Sequence, residues 1–443
     1  MIVVGAGPAG VTAAYLLAKA GLNVVVFERG EYPGSKNTFG GILYSTVLNK
    51  LIPKFWEEAP VERYVTSRTL MLLSPRNAVK VTIQSEDYAQ EPYNNSWTTI
   101  RPRFDLWYAS KAEEAGALII NETVVDDLIW KDGQVVGVRA RREEGELYAD
   151  VVLAADGVNS FLAKKAGLRK DFTLEQLGLG VQELIALPRR VIEDRFNLEG
   201  DRGAVIECVG DACRGMWGVG FLYTMRESIS IGIGTTLKVL VERRIKPQDL
   251  LEHFKNHPFI KGLIRGGELK EYLAHMTPEG GYDYLPKLYT NGMLLLGDAA
   301  GLLNASPHYE GSNLAMASGM FAAETVLRAK EKGDFSERTL SYYKYLLDNS
   351  FVMKDMKRSR KFFRFLQNNE EFFGDYLNLF TELAVDYYTI NDLPKAEQEE
   401  MMVKKLFKRL PILKFSWQLL KMASAYFESI SNLARLILKG AFG

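Results

Sequence analysis

The sequence predicts an α/β protein in which a mostly parallel sheet is interrupted by an antiparallel one and followed by a helical region. Three observations predict it. The chain opens on a strand–turn–helix–strand unit, two later stretches alternate apolar and polar residues, and from about residue 333 the pattern turns helical.

In the opening unit, Met1 to Val4 reads as a short buried strand and Ala9 to Ala20 as a helix with small residues early. Gly21 ends that helix, and Asn23 to Phe27 is a second strand. The first strand is shorter than usual, so the natural start is expected a few residues earlier. With a strand and a turn motif at the very beginning, no signal peptide is expected. Without an uncharged apolar run of about 18 residues, no spanning helix is expected either.

The alternating stretches are 61–97 and 171–286, where Val79 to Ile83, Val181 to Leu187, Met216 to Tyr223 and Ser228 to Thr235 read as strands. The expected organisation is therefore one domain from residues 1–60, 98–170 and 287–332. An antiparallel sheet domain on the substrate side comes from 61–97 and 171–286, and 333–443 forms a helical region contacting a membrane or a partner.

The 443 residues exceed what one core usually holds, and 47% hydrophobic with 25% charged residues is ordinary for a globular protein. Zero net charge gives no global field for nucleic acid, so no nucleic-acid partner is expected. Cys208 and Cys213 are the two cysteines, too few for a four-cysteine iron–sulfur cluster or a structural zinc site. They read as unpaired thiols in a reducing compartment, and no metal site is expected.

The first turn is Gly5-Ala6-Gly7-Pro8-Ala9-Gly10. Gly5 permits the turn, Gly7 lets backbone approach a pyrophosphate, and Gly10 lets the helix lie close to the sheet. Free N–H groups and the positive end of the helix dipole then face the phosphates. Glu28 ends the second strand, where a carboxylate accepts bonds from ribose hydroxyls. This is a Rossmann-type dinucleotide site. Three further stations favour FAD over NAD. Ala155-Asp156-Gly157 ends the strand Ala149 to Ala155, and Ser160 is expected to cap the next helix. Gly297-Asp298 ends Met293 to Leu296, and Gly311-Ser312-Asn313 opens a helix over Leu314 to Lys330. Alone, each is commonly a plain turn; together and in this order they fit one flavin dinucleotide. Gly232-Ile233-Gly234 lies inside an alternating strand and marks close backbone packing rather than a second nucleotide loop.

On these residues the chain resembles the FixC type of FAD subunit, within the electron-transfer-flavoprotein:quinone oxidoreductase and geranylgeranyl reductase group, whose wider fold is that of p-hydroxybenzoate hydroxylase-like flavoproteins. The resemblance spans most of the chain. It is carried by Gly5 to Gly10, Glu28-Arg29, Lys36-Asn37-Thr38-Phe39-Gly40-Gly41, Arg101-Pro102-Arg103-Phe104-Asp105, Asp156-Gly157, Gly297-Asp298-Ala299-Ala300-Gly301 and Glu310-Gly311. It implies that Arg29, Lys36, Asn37, Gly40, Gly41 and Arg101 join Pro8, Ala9 and the stations above around FAD, with the Val125 backbone at the adenine. The family has an Arg-Gly pair or a glycine-rich run where this chain has Glu310 before Gly311.

The resemblance also implies a function. FAD takes electrons from electron-transfer-flavoprotein subunits and passes them to a membrane quinone, within a FixABCX-type complex capable of electron bifurcation. A small ferredoxin-like partner supplies the iron–sulfur cluster that single-chain relatives carry in a four-cysteine domain. The place implied is peripheral, on the cytoplasmic side of the cell membrane. No catalytic residue is assigned. His308 and Tyr309 stand on the expected flavin side as candidate proton donors, while His253, His257 and His275 show no ligand spacing.

Residues 367–400 are acidic and 401–443 basic. Within Leu410 to Phe442, Ile412, Leu413, Phe415, Trp417, Leu419 and Leu420 lie among Lys414 and Lys421. Tyr426, Phe427, Ile430, Leu433, Leu436, Ile437 and Leu438 follow, with Arg435 and Lys439. That pattern suits a helix lying in a membrane interface, or one packed on protein. Three rival readings share the fold: a reductase of isoprenoid double bonds, an aromatic monooxygenase, and a non-catalytic assembly subunit whose charged segments dock other chains.

Overall fold

A computed structural model describes residues 1–37, 40–91, 95–305 and 308–427, with 425–427 described by backbone alone. The expectations placed on Thr38, Phe39, Ser306, Pro307, the side chains of Tyr426 and Phe427, and the residues from Ile430 onward lie outside the described residues.

A six-stranded sheet runs in the order Tyr289–Thr290, Met293–Leu295, Val152–Ala154, Ile2–Val4, Val25–Phe27, Leu118–Ile120. All neighbours are parallel except the first pair. The Ile2–Val4, Val152–Ala154 and Met293–Leu295 strands are wholly buried, which is why they read as unbroken apolar runs. From Ile2–Val4 the chain winds to Val25–Phe27 on one side, and Val152–Ala154 fills the other. The glycine turn after Ile2–Val4 therefore sits at a topological switch point, where open α/β sheets bind ligands.

Two helices meet behind that turn. Pro8–Lys19 crosses the long helix Ser312–Lys332 so closely that a Cβ on Gly319 would lie 2.3 Å from the Ala9 carbonyl oxygen. Helix Arg101–Glu114 is tied to the first by a 2.7 Å hydrogen bond shared by the Thr12 and Tyr108 hydroxyls. Between Leu118–Ile120 and Val152–Ala154 stands an antiparallel meander of Val125–Lys131, Gln134–Ala140 and Glu146–Tyr148, which the sequence analysis did not anticipate. Its first turn, Asp132-Gly133, has φ of +50° and +75°, the left-handed pair that an Asp-Gly hairpin adopts.

The second, nine-stranded sheet runs Glu268–Pro278, Leu177–Ala186, Ser228–Thr236, Val219–Thr224, Arg202–Gly210, Val61–Leu73, Ser96–Ile100, Gly40–Tyr44, with Ala78–Gln84 also paired to Val61–Leu73. Two expectations need correction. Val61–Leu73 and Arg202–Gly210 pair in parallel, so the sheet is not wholly antiparallel. More than a hundred residues separate them, and no hairpin forces the antiparallel sense. Gly40–Tyr44, expected with the cofactor-binding segment 1–60, is an edge strand of this sheet beside Ser96–Ile100. Its two leading glycines hid the alternation. One face of the sheet packs Val181, Leu222, Ile231 and Ile233 with Leu250, Leu251 and Phe254 in a core of its own.

The C-terminal helices Phe351–Gln367, Asp375–Tyr388, Lys395–Arg409 and Ile412–Phe427 turn the charge split inward. Lys405 lies 3.0 Å from Glu382 and 2.8 Å from Asp386, Arg409 reaches Glu382 at 2.5 Å, and Lys414 pairs with Glu371. Acidic and basic segments thus bond to each other at these points. Ile412–Phe427 stacks Phe415 on Phe372 and sets it edge-on to Tyr376. It leaves Leu413, Trp417 and Leu420 outward at 89%, 59% and 63% exposure. Among the described residues no helix is long and apolar enough to cross a membrane, and no acidic, His or Cys cluster is able to hold a metal.

The helix crossing yields a test. Alanine is the better helix former by about 1 kcal/mol, yet at Gly319 its methyl would press on Ala9 and Thr12. Gly319→Ala is expected to destabilise the protein by about 1–3 kcal/mol, read as a lower denaturant midpoint.

Candidate dinucleotide and redox site

The three glycines of the first turn are required for three different reasons. Gly5 has φ +102°, and a Cβ there would stand 2.2 Å from the Ala155 carbonyl oxygen. At Gly10 a Cβ would stand 2.0 Å from the Gly5 carbonyl oxygen. Gly7, the N-cap of Pro8–Lys19, has ordinary extended backbone, and a Cβ there would meet nothing within 4 Å. Its glycine keeps open the space in front of the helix. Pro8 brings no N–H, so Ala9 and Gly10 provide the first unpaired amides of the helix. Glu28 is aimed at the same place. The Ala6 N–H donates to its Oε2 at 3.0 Å and the Gly30 N–H to its Oε1 at 2.6 Å, leaving further lone pairs on both oxygens. Arg29 beside it is exposed.

At the next strand end, Asp156 Oδ2 accepts the Leu162 N–H at 3.1 Å. Asp156, not Ser160, therefore caps the short helix Phe161–Lys165. Ser160 sits at φ +46° and donates to the Ala299 carbonyl at 3.3 Å. Asp156 Oδ1 is buried without a hydrogen-bond partner among the described residues, and burial pushes the carboxyl up to about 6. Gly157 follows at φ +70°. Gly297, at φ +57°, donates its N–H to Ser318 Oγ at 2.9 Å. Burial also raises Asp298 to about 6, opposed by the Arg101 charge.

Asp105 gathers two segments. Its buried carboxylate accepts Arg101 Nε and Nη2 at 2.9 and 3.0 Å, and the Asn37 amide donates to the same group. Asn37 and the Arg101 helix start are thereby brought together, while Lys36 is exposed. The two adjacent glycines do unlike work. A Cβ at Gly40 would strike Ser230 at 2.5 Å and Met225 at 2.7 Å, so Gly40 is dictated by packing. At Gly41 it would meet nothing within 4 Å. Val125 is buried on the meander opposite Ala140.

Gly311 caps Ser312–Lys332, and Glu310, the departure from the resemblance, clamps that helix start. Its carboxylate accepts the side-chain amides of Asn304 at 2.9 Å and Asn313 at 2.8 Å, and its backbone exchanges two hydrogen bonds with Asn304. Ser359 Oγ donates to Asn304 Oδ1 at 2.9 Å, linking the loop to Phe351–Gln367.

Sequence reasoning missed a polar group on the nine-stranded sheet. Arg68 donates to the Tyr44 hydroxyl at 2.9 Å and to Glu207 Oε1 at 3.0 Å, and the Tyr44 hydroxyl donates to the His308 carbonyl. Charged residues inside the apolar runs Val65 to Leu73 and Ala204 to Val209 were the available signal. Tyr309 is held at φ +46° and is 39% exposed as a residue, while its phenol is raised by desolvation and by the charges of Glu279 and Glu207. Burial raises Glu279 to about 7. His275 is driven down to about 4 by burial and by Arg101 and Arg29, so it is neutral at pH 7. His253 Nε2 lies 2.9 Å from the Asp211 carbonyl, and His257 Nε2 lies 3.0 Å from that of Ser74, away from this site.

A dinucleotide fits these residues. Open space lies where Gly7 and Gly41 lack a Cβ, and Ser35 Oγ, Asp156 Oδ1 and Asn313 Oδ1 are buried polar atoms without hydrogen-bond partners among the described residues.

Residues 3–49 match the NAD(P)-binding Rossmann-like domain model, and residues 362–426 match the ETF-QO/FixC family C-terminal domain. Protein FixC of Bradyrhizobium diazoefficiens is 46% identical over 92% of this chain and 94% of its own length. The FixC protein of Azotobacter vinelandii is 45% identical over 92% and 94%, and that of Escherichia coli K12 is 41% identical over 92% and 93%. The chain belongs to the FixC family. With the family established and the cradle described, the cofactor is FAD and the protein is an FAD-dependent oxidoreductase of electron transfer. Among solved structures, a geranylgeranyl bacteriochlorophyll reductase-like protein of Thermoplasma acidophilum shares the fold. Its TM-score is 0.70 at 22% identity, covering 93% of this chain and 96% of that one. The flavin-dependent halogenase CmlS shares it at a TM-score of 0.63 and 19% identity, over 92% and 77%. At those identities the likeness is one of fold. For a FixC-family chain, Glu310 is then a local solution to holding the helix start, made with asparagine amides.

Two measurements probe the site. Asp105→Ala leaves the half-buried Arg101 without its carboxylate and releases Asn37, at an expected cost of about 2–3 kcal/mol, with bound FAD falling on gel filtration. Asp298 titrates near 6 when folded against 3.8 when unfolded. The penalty of ionising it in the fold is absent below about pH 4 and complete above about pH 6. In apoprotein, Asp298→Asn is expected to raise the melting temperature at pH 7 and to leave it unchanged below pH 4.

Proposed function

We propose that this protein receives electrons from an electron-transfer flavoprotein and hands them to a quinone at the cytoplasmic face of the cell membrane. It does so as the flavin subunit of a FixABCX-type bifurcating complex, with a small ferredoxin-like protein carrying the iron–sulfur cluster. The observation that carries this reading is the junction at Asp105. There Asn37, in the Lys36 to Gly41 stretch that is the most discriminating part of the family resemblance, meets the Arg101 helix start beside a dinucleotide cradle.

FAD, when bound, supplies the two-electron chemistry. The chain's own residues bind, orient and handle protons. Amides at the start of Pro8–Lys19 and the Arg101 guanidinium would hold the diphosphate, with Glu28 on the ribose. The Ser312–Lys332 helix, 21 residues long, turns its positive end and its Ser312 and Asn313 amides towards charge developing nearby. Gly41 lets backbone come close to a flat ring. A quinone gaining two electrons also takes two protons, and Tyr309 and Glu279, both raised above their ordinary values, are the candidate donors.

The outward face of Ile412–Phe427 supports membrane contact. Leu413, Trp417 and Leu420 recur at helical spacing, and Lys421 lies 5.2 Å from the centroid of the Trp417 ring. Such a face inserts into the headgroup boundary while the lysines meet anionic lipid.

In an anaerobic stopped-flow experiment, ubiquinone or menaquinone analogues are expected to reoxidise the reduced holoprotein far faster than buffer does. Reoxidation no faster than buffer, with reduction of a polyprenyl double bond instead, ends the proposal. Trp417→Ser with Leu420→Ser is expected to weaken binding to phosphatidylglycerol vesicles by about tenfold or more, with the flavin spectrum unchanged.

A further inference from the structure

The end of strand Glu268–Pro278 and the helix Phe351–Gln367 meet around a cavity of about 130 Å³. Its wall is polar, with Glu175, Glu279, Asp283, Ser359, Arg360 and Gln367 all bordering it. A polar space of that size holds several water molecules, each taking about 30 Å³ and a few polar partners. At the surface it is bordered by the exposed Tyr284 and Asn368.

Glu279 is the carboxyl that stands apart in this wall. Asp283 lies 3.3 Å from Arg360 and 2.6 Å from Arg364, and Glu175 lies 3.6 Å from Lys238. Among the described residues Glu279 has no such cation; its Oε1 accepts the Thr277 hydroxyl at 3.2 Å. A paired carboxyl is held ionised, whereas an unpaired one beside water can load and release a proton. Burial raises Glu279 to about 7, within reach of proton exchange at neutral pH. The neighbouring strand makes room for it. A Cβ on Gly178 would stand 2.1 Å from Glu279 Oε1, and Gly178 has no positive φ, so the carboxyl and not the backbone dictates glycine there. Glycine weakens a strand interior, and that loss keeps the carboxyl seated.

On its other side the cavity backs onto the start of the Ser312–Lys332 helix. Leu303 borders the cavity, and its Cδ1 lies 3.8 Å from where a Cβ of Gly311 would stand. Ser359 borders it too and donates to Asn304, whose amide donates to Glu310. One loop therefore separates the water-sized space from the helix start.

We infer that this cavity is the proton inlet of the redox centre, with Glu279 as the carrier in its wall. This deepens the function proposed above, and the destination of the proton rests on that reading. A quinone becoming a quinol takes two electrons and two protons. Both electrons and one proton leave the reduced cofactor, and the second proton leaves Glu279, which is left a carboxylate. Water in the cavity returns that proton and draws one from solvent, so Glu279 ends as it began.

The test mixes reduced holoprotein, without oxygen, with a ubiquinone analogue or with ferricenium, which takes electrons and no proton. Glu279→Gln is expected to slow reoxidation by the quinone about a hundredfold and to leave reoxidation by ferricenium unchanged. Added azide, a small weak acid able to carry protons through the cavity, is expected to restore the quinone rate. Gln367→Phe fills the cavity from the helix side with Glu279 in place, and is expected to slow the quinone reaction too, at unchanged flavin content. Wild-type quinone rates in both variants overturn the inference. So does equal slowing with ferricenium, which makes Glu279 a structural support, and so does a slow Glu279→Gln that azide leaves slow. If the quinone does not reoxidise even the wild-type protein, the proposed function itself is lost and this inference goes with it.

Discussion

The contact on which the rest depends is that of backbone with backbone at the carboxyl end of the central strand. The Gly5 carbonyl oxygen lies where a Cβ of Gly10 would be, and the Ala155 carbonyl oxygen where a Cβ of Gly5 would be. Strand end, helix start and neighbouring strand end therefore interlock at distances that no side chain permits. Gly319 continues the same crowding on the far side of Pro8–Lys19, against the Ala9 carbonyl. The long helix that presents Gly311 to Asn313 is held in register with the first turn through this stack. Enlarging any one of these positions shifts the diphosphate end and the helix start together.

Around this node the protein holds buried and half-buried carboxylates in place. It does so by sharing partners. Asp105 serves Arg101 and Asn37 at once, Glu28 serves two backbone amides, and Glu310 serves two asparagine amides. At Asp156 and Asp298 burial outweighs what hydrogen bonds and the Arg101 charge return, and each carboxyl is raised to about 6. Glu310 also orients Asn304 and Asn313 at the start of Ser312–Lys332.

Much of this was legible in the sequence because the constraint is local. A glycine turn between an apolar strand and a helix of small residues leaves one reading, and Ser312–Lys332 lies within two residues of its expected span. The family resemblance named the Arg101 and Asn37 segments, while the hub that joins them, Asp105, emerged only from the fold. Legibility failed where pairing is non-local. Nothing in Val61–Leu73 announces a parallel partner more than a hundred residues away, and Gly40-Gly41 disguised an edge strand. The Asp132-Gly133 hairpin is readable by turn chemistry, since both residues take the left-handed backbone that an Asp-Gly pair favours. Ser160 looked like a cap by residue type, but its left-handed backbone turned the hydroxyl elsewhere and left the capping to Asp156.

The same residue type reports two kinds of constraint, and the space around it tells them apart. Gly10, Gly40, Gly232 and Gly319 exist because something is already there: a carbonyl, Ser230, the Phe221 ring, a second helix. Gly7, Gly41, Gly180 and Gly234 have nothing pressing on them. Packing accounts for the first group completely and for the second not at all. Gly7 opens in front of the Pro8–Lys19 helix, Gly41 lies on the edge strand beside Ser96–Ile100, and Gly180 and Gly234 pair across the sheet. Gly7 stands before the amides of the Pro8–Lys19 start, so the space it leaves belongs to the bound dinucleotide rather than to packing within the chain.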